Sequence, residues 1–316
     1  MTVRMATCRE LSENKEEVKR LGQLYNIMER SATPTALLLP WFPSRAKKTK
    51  QQATTDLYMK FNDYIDMRRK AVPSSDAFDV LIAEGCDNAT IIGFTLGVIF
   101  AGVINTRVNS CWVLVYLAAN PSWKSQVNEE VKQLLAKYSD ESSGDKLHQR
   151  LSSIPVSAWE DEMPVLDLVI RETIRLTLTG AALRRNMEED LYVEGKRIDR
   201  GAFMAYPLGS VHMNPEIYTE PSKFDPSRFT SGREEDKKGT FSYIGWGVGR
   251  HPCTGMKVAK LEMKLIVALF LAGYEYELVD AAGKFPDPFP QPDRNDISEA
   301  RPLGDPCYLK FRRTVA

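Results

Sequence analysis

One cysteine lies in a run whose residue types and spacing could do chemistry. Residues 241–255 read FSYIGWGVGRHPCTG, which places Gly245, Gly247, Gly249 and Gly255 within eleven positions around Cys253. Glycines let a backbone turn with φ > 0 and approach another body closely. An apolar-periodic run over residues 256–271 follows, so Cys253 stands at the entry to a predicted helix. There a helix N-terminus and nearby N–H groups favour the thiolate. That is the chemistry of a sulfur kept deprotonated to ligate a metal. Taken alone, the loop fits better a second reading, a buried cysteine filling a glycine-rich turn, and it is the neighbouring residues that favour the first.

Either role needs a framework, and composition bounds it. The chain has 316 residues, 43% of them hydrophobic, enough for one large domain or two modest ones. Charge balances at 42 against 42, which gives no general electrostatic case for binding nucleic acid. The five cysteines, Cys8, Cys86, Cys111, Cys253 and Cys307, form no CxxC pair and no disulfide framework, which suits a reducing compartment. Residues 1–8 lack the apolar core of a signal peptide or anchor. The longest apolar stretch, 91–104, is short of the roughly 20 residues a membrane span needs, so a buried core helix is expected.

Hydrophobic periodicity then places the elements. Leu11, Val18, Leu21, Leu24, Ile27 and Met28 form a helical stripe over residues 11–30. A proline-punctuated loop with the apolar run LLLPWF (37–42) follows, and then a charged amphipathic helix over 45–71. Asp87 or Asn88 caps a helix that continues to about Ala119 and stops at Asn120-Pro121. It is apolar nearly all round, so it is expected to run through the core. A charged helix over 122–137 and another over 165–176 come next. After Gly180 the texture changes to short strands at 191–193 and 202–206, an irregular proline-rich wrap over 214–238, and two terminal strands at 274–279 and 308–312. The fold class is mainly α with small β-sheets.

Four further constellations bear on Cys253. Glu172 and Arg175 stand at i and i+3 of a predicted helix, a spacing that is usually a surface pair. Residues 224–229 read FDPSRF, with Arg228 near the end, and residues 183–190 read LRRNMEED. The central helix carries AGVINT at 101–106.

Together these resemble the cytochrome P450 family. Its ligand loop has an aromatic seven residues before the cysteine, glycine four before, a basic residue two before and glycine two after. Trp246, Gly249, His251 and Gly255 stand at those places. The aromatic is usually Phe, and an indole N–H at Trp246 could donate toward the sulfur. The resemblance implies that Cys253 is the axial ligand of a haem b iron. It implies that Glu172, Arg175 and Arg228 form a buried structural triad and that Arg185 binds a haem propionate. His212 is expected to be structural or on the propionate side. In the family's usual central-helix motif an acid and a threonine help deliver protons during oxygen activation. Here Ile104 replaces the acid, Asn105 replaces the threonine and Thr106 follows, so Asn105 and Thr106 are the catalytic candidates. With Trp112, this pattern is similar to the sterol 7-hydroxylase and prostacyclin synthase branch.

The resemblance covers nearly the whole chain, read as one domain over 1–316, but not the whole family fold, since the first helices and strands are missing. The chain is expected to be the C-terminal part of a haem-thiolate monooxygenase. Its substrate would be a lipophilic sterol, terpenoid or fatty-acid-like molecule, met by apolar residues such as Ile99, Val103 and Ile104. Electrons would come from an NADPH-dependent flavoprotein reductase. The full-length protein would sit at the cytoplasmic face of the endoplasmic reticulum membrane, whereas this chain carries no anchor. Two alternatives stand beside that expectation: a haem-thiolate isomerase or dehydratase acting on a peroxide, and a truncated fragment without activity.

Overall fold

The computed structural model describes residues 2–314 except 32, 34, 36, 37, 40, 74, 297 and 298, so part of the apolar 37–42 loop lies outside the described residues. The chain forms two compact units, Met1–Val103 and Ile104–Ala316.

The first unit holds α1 (Thr2–Ala6), α2 (Arg9–Glu13), α3 (Lys15–Arg30), α4 (Arg45–Arg68) and α5 (Ala77–Ala83). The single helix expected over 11–30 is broken at Asn14, whose φ of -84° and ψ of 99° are extended, and whose side chain instead accepts from the Glu17 N–H at 3.2 Å. Asn competes for backbone hydrogen bonds in this way and favours caps over helix interiors. Leu57, Phe61 and Ile65 bury one face of α4. Near its end the buried Arg68 pairs with Glu10, Asp76 and Asp79, so that one cation collects three carboxylates.

The long central helix α6 runs Asn88–Ala119. Residues 112–117 are buried on every side, as an all-apolar helix predicts, but Phe94 (46%) and Phe100 (52%) are exposed. The expectation of a core helix along its whole length therefore fails over its first half. By length and composition α6 could also cross a membrane, and only 33% of an 18-residue apolar window in it is buried in protein.

The second unit continues with α7 (Pro121–Tyr138), α8 (Leu147–Ser152), α9 (Val156–Asp161) and α10 (Pro164–Thr177). Strands β1 (Ala181–Arg185), β2 (Leu191–Val193), β3 (Lys196–Ile198) and β4 (Phe203–Pro207) follow, then the short α11 (Gly209–His212), α12 (Met256–Gly273), β5 (Tyr274–Val279) and β6 (Tyr308–Arg313). Among the described residues the strands make three two-stranded antiparallel sheets, pairing β1 with β4, β2 with β3 and β5 with β6. The core lies where α7, α10 and α12 meet the end of α6: Leu117, Val131, Leu166, Val169, Ile170, Val267 and Leu271 are all buried there. Proline opens both α7 and α10 at a first-turn position, where its missing N–H costs the helix nothing. The amphipathic α10 is the hub, because Glu172 and Arg175 project from it on the side away from these apolar contacts.

Candidate functional site

Glu172, Arg175 and Arg228 have fully buried side chains. Arg175 donates to Glu172 through Nε at 2.8 Å and Nη2 at 2.9 Å, a bidentate fork. Arg228, on a 3₁₀ turn over Pro226–Phe229, donates to Glu172 Oε1 at 3.0 Å, and the Asp225 N–H adds a further bond at 3.0 Å. Two cations against one anion would leave buried charge uncompensated, which is costly. The balance comes from Glu235, 4% exposed, which accepts from Arg228 Nη1 at 2.6 Å and from Arg233 at 2.8 Å. Burial alone would raise the Glu235 carboxyl; hydrogen bonds from Arg233, Arg228 and the Thr219 N–H overcome this and hold it at about 2. Sequence reasoning missed Glu235. The available signal was the two-to-one charge count of the triad itself, which requires a further acid.

A chain of hydrogen bonds leads from this network to the cysteine loop. Arg175 Nη1 donates to the His212 carbonyl at 2.5 Å, and the ring of His212 accepts the Ile244 N–H on Nε2 at 3.0 Å. The Gly247 N–H then donates to Ile244 O at 2.9 Å, and the Cys253 N–H to Trp246 O at 2.7 Å. His212 is fully buried and stacks on Tyr243 at 5.1 Å. Desolvation, followed by the charge of Arg175, lowers its pKa to about 3, so the imidazole stays neutral and keeps Nε2 available as acceptor. His212 thus holds the backbone of the loop.

The loop itself turns on glycine. Gly247 (φ +75°) and Gly249 (φ +78°) occupy the left-handed region, where a side chain would be strained. Cys253 emerges exposed, not buried, one helical turn's reach from α12, whose N-cap is Gly255. The reading of a cysteine filling a turn from within is thereby removed. Trp246 packs against the core, and among the described residues no hydrogen bond joins its indole N–H to the Cys253 sulfur, contrary to the possibility raised by the sequence. His251 is exposed. Arg185 is exposed on β1: it donates to the Gly201 carbonyl at 3.1 Å and lies over the Phe203 ring at 5.4 Å, and no carboxylate pairs with it among the described residues. Arg184, its neighbour, donates to the Leu183 carbonyl. On α6, Ile104 (7%) and Thr106 (6%) are buried, whereas Asn105 is exposed. The structure therefore sets Asn105 and Thr106 on different faces of the helix.

The donor set fits a haem. Among the described residues no group of three or more His, Cys, Asp or Glu side chains could hold a bare metal ion. A lone exposed thiol suits a metal that arrives with its other ligands already in a macrocycle and needs a single axial donor from the protein. Gly255 adds a second indication. Its φ of -88° is open to any residue, and a Cβ built there would meet nothing within 4 Å, so neither conformation nor protein packing demands glycine. A flat body seated against the loop would.

The family model described as Cytochrome P450 matches residues 2–296. A cytochrome P450 monooxygenase, AacuE of Aspergillus aculeatus, is 29% identical over 97% of this chain and 62% of its own length. The sterol 14-demethylase of Arabidopsis thaliana is 30% identical over 87% of this chain and 55% of its own. The chain thus spans about six-tenths of the length of such relatives. A solved retinoic-acid-bound cyanobacterial structure, CYP120A1, superposes over 99% of this chain and 67% of its own with a TM-score of 0.73 at 22% identity, a likeness of fold.

Proposed function

The chain belongs to the cytochrome P450 family, and on that premise we propose that it carries the ligand side of a haem-thiolate monooxygenase that hydroxylates a lipophilic small molecule. Its oxidant is oxygen and its electrons come from an NADPH-dependent flavoprotein reductase; the full-length protein works at the cytoplasmic face of the endoplasmic reticulum membrane. The observation that carries this reading is the exposed Cys253 sulfur on a glycine loop tied by hydrogen bonds to a saturated, buried charge network.

Haem b held there would supply oxygen activation and C–H hydroxylation. The work of the chain is placement. Cys253 would hold the haem through its sulfur, and Gly255 would leave the flank of the loop clear. Arg185 and His251, both exposed and basic, are the groups to receive the propionates. Asn105 takes the place of the usual threonine and holds a water or proton donor over the site, while Ile104 in place of the usual acid keeps that stretch apolar. Support for a sterol-like or terpenoid substrate comes from Ile104 and from a relative named as a sterol demethylase. The peroxide-acting alternative rests on the same two positions and is distinguished by hydroperoxide turnover without a reductase.

The test is haem reconstitution followed by the reduced CO spectrum of the chain and of Cys253→Ser. The expected result is a red-shifted, thiolate-type Soret band that the variant lacks. Haem uptake that is absent, or indifferent to Cys253→Ser, overturns the reading.

A further inference from the structure

Within the second unit, α6 and α10 are joined by a polar cross-link one turn beyond Asn105. Asn109 donates from Nδ2 to the Asn105 carbonyl at 2.9 Å, and its Oδ1 accepts from Thr177 Oγ1 at 2.9 Å. The two bonds fix which end of the amide is which, since the carbonyl can only accept and Nδ2 can only donate. The Asn105 carbonyl already belongs to the helix ladder, so the second bond fills its remaining lone pair. It is closed to any further donor. Thr177 is 5% exposed and ends the helix that holds Glu172 and Arg175. The turn bearing Asn105 is therefore fastened to the end of the helix that carries the buried ion network.

We infer that Asn109 is a positioning residue: through Thr177 it fixes the Asn105 turn of α6 against α10, and so sets where the Asn105 side chain stands. The role in catalysis rests on the haem-thiolate reading above; the cross-link itself does not. The single Thr177 hydroxyl hydrogen is shared between Asn109 Oδ1 and the Thr173 carbonyl at 2.8 Å. Removing Asn109 leaves it bonded to Thr173, and the Asn105 carbonyl keeps its helical partner, so Asn109→Leu strands no buried polar group.

Two measurements on the full chain test this. Hydrogen exchange without haem should quicken about fivefold in the 105–110 backbone of Asn109→Leu, the size expected for one lost hydrogen bond. Thr177→Val should do the same, the double variant should be no faster than either single one, and Thr177→Ser should restore protection. After haem loading, the C–O stretching band of the reduced CO complex reports polar groups at the site. Asn109→Leu should shift it in the same direction as Asn105→Ala, with no further shift in the pair, and should lower kcat while leaving KM unchanged. Unchanged exchange, or additive effects of Asn109→Leu and Thr177→Val, overturns the cross-link. Faster exchange with an unmoved CO band leaves only a helix brace and overturns the positioning role. A chain that takes up no haem defeats the haem-thiolate reading, and the exchange data alone then decide whether Asn109 positions the Asn105 turn.

Discussion

The surroundings of Glu172 and of Cys253 are built on opposite plans, although five hydrogen-bonded residues connect them. Glu172 is enclosed: four N–H donors converge on its two oxygens, and every charge nearby is answered by another from the same chain. Cys253 is left open: its backbone is fastened, its side chain is exposed, and the space beside Gly255 holds no protein atom. The first is a site completed by the protein for its own stability. The second, on the proposed reading, is completed by a bound haem. A buried ionic network is rigid because breaking any member strands the others, and that rigidity is what a loop needs to present a sulfur in one orientation without packing against it.

Substitutions at the two places should separate on this account. Glu172→Gln removes the anion shared by Arg175 and Arg228 and should cost about 3–5 kcal/mol in chemical denaturation. A loss much smaller than this would show that the network is not fully formed. The glycines give a second contrast. A Cβ at Gly245 meets the Tyr243 ring and comes within 2.7 Å of the Ile174 methyl, so Gly245→Ala should destabilise by about 1–3 kcal/mol. Gly255→Ala should change stability by less than about 0.5 kcal/mol while weakening haem uptake.

Acid should act on the enclosed side first. The folded pKa of His212, about 3, lies below its ordinary 6.5, so the unfolded chain takes the proton first; stability is full above pH 6.5 and falls as pH drops toward 3. Glu235, at about 2 against an ordinary 4.5, contributes in the same direction between pH 4.5 and 2. His212→Gln should flatten the upper part of a stability–pH curve and Glu235→Gln the lower part; an unaltered curve in either variant would remove that residue from the account. The smallest effect on the fold is expected at Cys253→Ser, within about 0.5 kcal/mol, together with loss of the thiolate spectrum. If this variant unfolded as readily as Glu172→Gln, the distinction between the two plans would collapse.

Much of this was written locally in the chain. The bounds of α6, α7 and α12 follow from Asn120-Pro121, from apolar periodicity and from Gly255. The strands at 191–193, 274–279 and 308–313 follow from alternation between turn residues. The cysteine loop was legible because the left-handed turns at Gly247 and Gly249 are a backbone requirement and need no distant partner. Where the reading went astray, the cause was a local choice between hydrogen bonds in one case and packing in the other. The break at Asn14 turns on which hydrogen bond one side chain chooses, and the exposure of Phe94 and Phe100 depends on what packs against α6, which periodicity does not encode.

The sequence by itself determined a cysteine on a glycine turn at a helix entry, a Glu–Arg pair on one helical face and an arginine downstream. These are properties of spacing along the chain, fixed by helical period and by φ. Only the tertiary structure decided that Glu235 neutralises the second arginine, that a neutral His212 holds the Ile244 N–H, that Asn109 meets Thr177 sixty-eight residues away, and that Cys253 stands open. The His212–Ile244 and Asn109–Thr177 contacts join segments remote in sequence, and even Arg228 and Glu235, only a few residues apart, meet through an irregular stretch with no period to read. The partner of a buried charge or amide is chosen by which groups the folded core brings within reach, and residue spacing carries no record of that choice.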